Sequence, residues 1–430
     1  MTTTADTAHT ADTAHTADTA HTADTAHTAA APGPGSVPQA APSGFRLGAS
    51  TVSPPVVLAP MAGVTNAAYR TLCREQGQAY VPSSPSGGEE PLAGVYVCEM
   101  ITSRGLAEGD ETTKRMLVFD PGETVRSVQL YGVDPTYIGR ATEILCGDYG
   151  VGHVDLNFGC PVPKVTRRGG GAVLPWKRNL LGTILRSAVA AAAPYGVPVT
   201  MKTRKGIDDD HLTFVEAGRI AADSGCAAIA LHGRTAAQHY SGQADWSSIA
   251  ELAAAVDIPV LGNGDIWEAE DAVRMVAETG CSGVVVGRGC LGRPWLFRDL
   301  AAAFGGLPAP ALPGLGEVAA MMRRHAELLA GYVGEDRGCR EFRKHVSWYL
   351  KGFPVRQQVR RDLGLVSDLA GLDALLAELD HDQPFPVAEL GLARGRQGSP
   401  RSVTMPEGWL DDRDGLGEDL AGAELGISGG

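Results

Sequence analysis

The sequence predicts an α/β protein, a TIM (β/α)8 barrel followed by a smaller C-terminal helical domain. Three observations predict it. From residue 45 to 306, short β-branched apolar runs alternate with longer Ala-rich helical patterns, the rhythm of βα units around a parallel sheet. The runs number eight over roughly 250 residues, the strand count and size of such a barrel. No G-x-G-x-x-G follows the first run, where a doubly wound sheet would place its dinucleotide fingerprint.

In order, the runs are "VVLAP" near Val56, "VYVCEM" near Val95, "RSVQLYG" near Val128 and "HVDLNFG" near Val154. "PVTMKTR" near Val199, "AIALHGR" near Ile229, "PVLGNGD" near Val260 and "GVVVGRG" near Val284 complete the set. Residues 307–316 are a Pro/Gly linker, and residues 317–382 read as the helical domain. The flanks have a different composition. Residues 1–44 repeat a Thr-Ala-Asp-Thr-Ala-His unit with almost no large apolar side chain to offset ordering entropy, which predicts a disordered low-complexity tail. Residues 383–430, rich in Gly, Pro, Asp and Glu, read as a flexible C-terminal tail.

Composition excludes several classes. No apolar stretch is long enough to span a membrane, and no charged start leads into an apolar signal core. The eight cysteines form no C-x-x-C pair and have no His partner at zinc spacing. Free thiols in a reducing cytoplasm, with no metal, are expected. The net charge of -13 speaks against an acidic partner overall, but acidic ends contribute to it, so local charge decides.

In a TIM barrel the C-terminal ends of the strands carry the active site. Here those ends hold Pro60-Met61-Ala62, Glu99, Gln129, Asn157, Lys202 with Arg204, His232 with Arg234, Asn263-Gly264-Asp265 and Gly287-Arg288. Any one is explicable as a satisfied structural residue. Eight in series on one rim are not. The loops after strands seven and eight suit a phosphate: Gly264 and Gly287 permit close backbone approach, and Arg288 adds a bidentate contact. Lys202 supplies a fixed positive charge for a ring that becomes anionic on reduction, and Gln129 can donate and accept at a ring edge. Together they indicate flavin mononucleotide (FMN) across the barrel mouth.

These stretches resemble the tRNA-dihydrouridine synthases, the bacterial B-type branch above all. The likeness is carried by "LAPMAGVTN", "EM", "VQLYG", "VDLNFGCPVPKV", "VTMKTRKG", "LHGRTAAQHYSGQADW", "PVLGNGDI" and "VVGRGCLGRPWLF", in the family's order across the whole barrel. The resemblance implies FMN contacts from Pro60, Met61, Ala62, Gln129, Lys202, Asn263, Gly264, Asp265, Gly287 and Arg288. It implies that Cys160 is the catalytic acid. It puts Asn157, Arg204 and His232 near the flavin or the bound uracil, with Arg234 close to the base or its phosphate. The implied reaction is reduction of the uracil C5–C6 double bond in tRNA, with NADPH as electron source. One departure stands out: "QAYVPSSPSGGEEPLAGVY", between Gly77 and Val97, inserts a Pro/Ser/Gly/Glu-rich loop. It is expected on the barrel face opposite the site.

A cysteine between Gly159 and Pro161 at a strand end suits a proton donor. A thiol near pKa ~8.5 is mostly protonated at neutral pH and still able to give its proton up. The ordinary role of a free cysteine is small apolar filler, and the other cysteines are read that way. The run Gly169-Gly170-Gly171 has two equal readings, a contact to RNA backbone and a loop that closes on substrate. In the helical domain, Arg337, Arg340, Arg343, Lys344, Lys351, Arg356, Arg360 and Arg361 face Glu341 alone within one stretch. That predicts a local tRNA-binding surface with Arg343 and Lys344 at its centre, while Trp348 and Tyr349 are read as core. A monomer is expected. The rival readings are a small-molecule FMN reductase and an RNA-binding protein that has lost catalysis.

Overall fold

A computed structural model of the chain describes residues 44–80, 90–395 and 397–416. The expected tail at 1–44 lies outside the described residues except for Gly44. Eight parallel strands close into a barrel in chain order. They are Val56–Leu58, Val95–Thr102, Ser127–Tyr131, His153–Phe158, Val199–Arg204, Ala228–His232, Val260–Asn263 and Gly283–Val286. All eight coincide with the runs read from sequence, because a buried parallel strand is a short β-branched run between turn residues.

Alternation along each strand separates two populations. In the fourth strand Val154, Leu156 and Phe158 point outward and join the core shared with the helices. His153, Asp155 and Asn157 take the opposite face. The lower barrel interior is apolar, with Val57, Val95, Val97, Ala230, Leu261 and Val285 in one cluster. A hairpin not anticipated from sequence, Phe45–Leu47 with Ser50–Val52, sets Phe45 and Leu47 into that cluster and plugs the N-terminal end. Of the insertion between Gly77 and Val97, residues 81–89 lie outside the described residues. Leu92 just after them exchanges backbone hydrogen bonds with Thr51 and Ser53, at the barrel end away from the strand C-termini.

Helices Leu315–Val333, Glu335–Tyr349, Gln357–Leu363 and Leu369–Leu376 form a second core that also takes in Ala68 and Trp295 from the barrel side. The approach is close. Gly292 has φ +67, and a Cβ there would lie 2.2 Å from the Trp348 carbonyl carbon, so only glycine fits this backbone contact. Tyr349 is buried and Trp348 is half-buried against the barrel core.

A flexible tail from residue 383 does not describe residues 384–395 and 397–416. Phe385 is buried in the helical core, and Arg394 donates to the carbonyls of Leu291 and Trp348 at 3.1 Å each. The chain then returns to the barrel. Arg401 N–H reaches the Ala237 carbonyl, and Trp409, 5% exposed, packs with Val173 and Ile207 and donates to the Val173 carbonyl at 3.0 Å. Composition concealed this because the anchors are scattered: buried Phe385, Arg394 and Trp409, the partly buried Val403, Met405 and Leu410, and the ion pairs Arg178–Asp414 and Arg413–Glu216. Trp409→Ala should therefore free the segment, with a stability loss of about 3 kcal/mol. Limited proteolysis should then cut within 397–416 much faster than in the parent; an unchanged cleavage rate would show that Trp409 is not the anchor.

Candidate functional site

The C-terminal rim of the barrel carries a continuous set of hydrogen bonds that begins inside the barrel. Ser127 Oγ lies 2.7 Å from His153 Nδ1, and His153 Nε2 lies 2.9 Å from Thr200 Oγ1. Thr200 donates to Asp155 Oδ1 at 2.6 Å, and Gln129 Nε2 donates to Asp155 Oδ2 at 2.6 Å. Asn157 Nδ2 donates to Gln129 Oε1 at 2.8 Å. Strand pairing explains the proximity, since Gln129 stands opposite Asp155, and Asp155 opposite Thr200. The second strand contributes through an irregularity between Val97 and Met100, which brings Met100 opposite Gln129. Its Sδ then accepts from Asn157 at 3.2 Å.

Cys160 sits at the upper end of this set. The Asn157 carbonyl oxygen accepts from the N–H groups of Gly159 and Cys160 at 3.0 and 2.9 Å. Arg204 Nε donates to the Gly159 carbonyl at 2.9 Å, and Ala172 N–H donates to the Cys160 carbonyl at 3.0 Å. At Gly171, φ is +58 and a Cβ would lie 2.4 Å from the Cys160 carbonyl oxygen. The last glycine of the 169–171 run thus packs on the cysteine loop. Cys160 is half-buried beside Met100, Tyr131 and Val165, whereas every other cysteine is buried. Burial pushes its thiol pKa up; the Val162 N–H and Arg204 oppose this only in part.

Four basic side chains and one imidazole line the rest of the mouth. Lys202 is half-buried, with no hydrogen-bond partner among the described residues. Burial and the like charge of Arg204 lower its pKa to about 8, against the pull of Asp155. Arg288 lies 4.3 Å from the Tyr240 ring centre, 5.0 Å from that of Trp267 and 3.8 Å from Asp265. His232 is held neutral: burial first, then Arg204, Lys202, Arg234 and Arg288, depress its pKa well below the ordinary value.

Several expected contacts have other roles. Arg234 is buried and binds Asp265 bidentately at 2.8 and 2.9 Å, and it also donates to the carbonyls of Ser241 and Gly242. It does not extend toward a base. The Asp265 carboxylate is occupied by that pair and by Ala244 N–H, so it offers a ligand only its backbone. Arg204 is likewise buried, and its Nη1 donates to the carbonyls of Thr235 and His239 at 3.0 and 2.8 Å. It ties the loops after strands four, five and six together. The Asn157 amide is spent on Gln129 and the cysteine loop. Asn263 Nδ2 donates to the Val285 carbonyl at 2.7 Å. Pro60, Met61 and Ala62 stand on the rim, with Met61 N–H held by Thr65. Asp155, Thr200, His153 and Tyr240 were not singled out from sequence as site residues. The alternation His153, Asp155, Asn157 in one strand was the available signal.

The basic stretch of the helical region is largely charge-balanced. Arg337 pairs with Glu341, Arg340 with Asp336, Lys351 with Glu389 and Arg356 with Glu378. Arg360 donates to the carbonyls of Leu350, Phe353 and Val355, and Arg361 to Gln358. Most of these acids come from outside the stretch, and so a local count missed them. Arg343 donates to the carbonyls of Leu365 and Val366 at 2.8 Å each and holds the next helices in place. Lys344 differs. It is exposed and points to the barrel mouth, where a Cβ on Gly63 would lie 3.7 Å from its Nζ.

The mouth suits an anionic flavin nucleotide. The N–H groups of Gly264 and Asp265 have no acceptor among the described residues, and Gly287 and Arg288 stand beside them. Lys202 and Gln129 lie deeper in the barrel. Among the described residues, no helix is long and apolar enough to cross a membrane.

As the pH falls through about 6.5, where an ordinary imidazole gains a proton, His232 should remain neutral. An NMR titration of its ring would check this; protonation at the ordinary value would contradict the electrostatics described here.

Comparison with known proteins follows the same lines. The model of one family, Dihydrouridine synthase (Dus), matches residues 57–383. A "Probable tRNA-dihydrouridine synthase" of Mycobacterium tuberculosis (strain ATCC 25618 / H37Rv) is 54% identical over 371 residues, 86% of this chain and 93% of that protein. A protein of the same description from Mycobacterium leprae (strain TN) is 53% identical over 386 residues, 87% of this chain and 100% of its own. The "tRNA-dihydrouridine synthase B" of Pseudomonas aeruginosa is 36% identical over 326 residues, 75% of this chain and 92% of its own.

Proposed function

The chain belongs to the dihydrouridine synthase family, and from that premise we propose that it reduces uridines of tRNA to 5,6-dihydrouridine, with FMN as its flavin and NADPH as electron source. The observation that carries the reading is the cysteine loop: a half-buried thiol, kept protonated, whose backbone is fixed by Asn157, Arg204 and Ala172. A bound flavin supplies the hydride that uracil C6 accepts. Gly264, Asp265, Gly287 and Arg288 would hold its phosphate, through backbone N–H groups and the guanidinium. Lys202 and Gln129 would meet its ring. Cys160 delivers the proton that C5 requires, and its thiolate regains one from water. His232, being neutral, can hydrogen-bond the base without adding charge. The base leaves its stack to reach the mouth, as in other enzymes that act on a nucleobase.

The thiol is the competent form, so activity should persist through neutral pH and fall as pH rises through the elevated Cys160 pKa, above the ordinary ~8.5. Cys160→Ala should retain the yellow colour and NADPH oxidation, yet lose uridine reduction by roughly 10²–10⁴-fold. Mapping of dihydrouridine in unmodified tRNA checks both. Near-parental activity in Cys160→Ala would remove the cysteine from its role. A protein that oxidises NADPH but leaves tRNA unmodified would favour a small-molecule substrate.

On the helical side, RNA binding is assigned to Lys344 rather than Arg343. Exposed ion pairs are worth little, so the paired arginines can exchange partners, but Lys344 has the better position at the mouth. Lys344→Glu should weaken tRNA binding and reduce the salt slope by about one ion, with flavin content unchanged. Filter binding at several salt concentrations measures this; an unaltered slope would place the RNA elsewhere.

A further inference from the structure

We infer that Asp155 is a positioning residue for Cys160, acting as a hydrogen-bond acceptor through Gln129 and Asn157; the inference rests on the reading of Cys160 as proton donor. The upper end of the chain is unambiguous. Backbone N–H groups only donate, so Asn157 meets Gly159 and Cys160 with its carbonyl oxygen, at 3.0 and 2.9 Å. Its NH2 therefore faces Gln129, 2.8 Å away, and Gln129 accepts there with Oε1. That turns the Gln129 NH2 toward residue 155, at 2.6 Å. Position 155 must then present an acceptor. With Asp155 6% and Gln129 1% exposed, bulk water is not at hand to substitute.

Below Asp155 the direction of donation is reversible. Thr200 and Ser127 are hydroxyl rotors, and His153 between them can carry its proton on either nitrogen. An asparagine at 155 can turn its oxygen to Gln129 and its NH2 to Thr200. Thr200 then donates to His153, and His153 to Ser127. The hydrogen bonds up to Cys160 are untouched. An alanine at 155 leaves the Gln129 NH2 without an acceptor, so that side chain is free to turn over. Asn157 then loses the partner that keeps its carbonyl oxygen under the cysteine loop.

Site-resolved alkylation of Cys160 by iodoacetamide, on the full-length protein as isolated and read by mass spectrometry, tests this. The other cysteines, all buried, are the internal control. Asp155→Ala should raise the Cys160 rate about tenfold, the order expected for one lost buried hydrogen bond, while Asp155→Asn stays within about twofold of the parent. Gln129→Leu cuts the same chain one residue higher and should match Asp155→Ala, which settles the matter if the alanine variant does not fold. Parental rates in the alanine and leucine variants would overturn the inference. So would an asparagine variant that behaves like alanine, since charge rather than acceptance would then matter. Alkylation needs no turnover, so it is read independently of whether Cys160→Ala abolishes uridine reduction.

Discussion

A carboxylate inside a barrel persists only where donors meet it. Asp155 satisfies that condition with one donor on each oxygen, and much of the site is arranged around it. Beneath it come Ser127 and His153 and then an apolar interior closed by the Phe45–Leu47 strand. Above it stand Asn157, Lys202 and His232. The carboxylate marks the level at which the barrel changes from a packed core to a binding surface. It also gives Lys202 an opposing charge in a mouth otherwise crowded with Arg204, Arg234 and Arg288.

Two of the four basic side chains of the mouth, Arg204 and Arg234, are spent on the protein itself and tie its loops together. Arg204 donates to three carbonyls on two loops, Gly159 on one and Thr235 and His239 on the other, and Arg234 is locked to Asp265. Planar guanidinium groups suit this role, since one side chain satisfies several acceptors in fixed directions. The loops that carry Cys160, His239 and Asp265 are therefore joined through these two side chains. Backbone joins complete the frame, with Ala172 on the Cys160 carbonyl and Gly233 on that of Asn263. The outward faces of the same strands bury Val154, Leu156 and Met201 against the helices, so packing outside sets the heights of polar groups inside.

The eight strands and the face that bears the site were legible because both follow from local pattern: β-branched runs, period-two alternation and polar residues at strand ends. Which polar residues are free was not legible. Asp265 and Arg234 look like ligand contacts in sequence, and only the turn at Asp265, with φ +54, brings them together. The basic stretch of the helical region looked unopposed because Glu378 and Glu389 lie well beyond it. Residues 384–416 looked like a tail because the apolar side chains that pack, Phe385, Leu390, Val403, Met405, Trp409 and Leu410, are scattered over a long polar segment. Propensity and composition are averages over a window. Pairing between distant residues is not in any window.

The return of that segment to the barrel has a consequence in time. Trp409 closes on Val173 across 236 residues of chain, on the loop that follows Cys160. A polypeptide emerges from the ribosome N-terminus first. All eight strands are therefore available long before the residues that finish the wall beside the cysteine loop. The barrel can assemble during synthesis, but the packing against Val173 is completed only once Trp409 has been made.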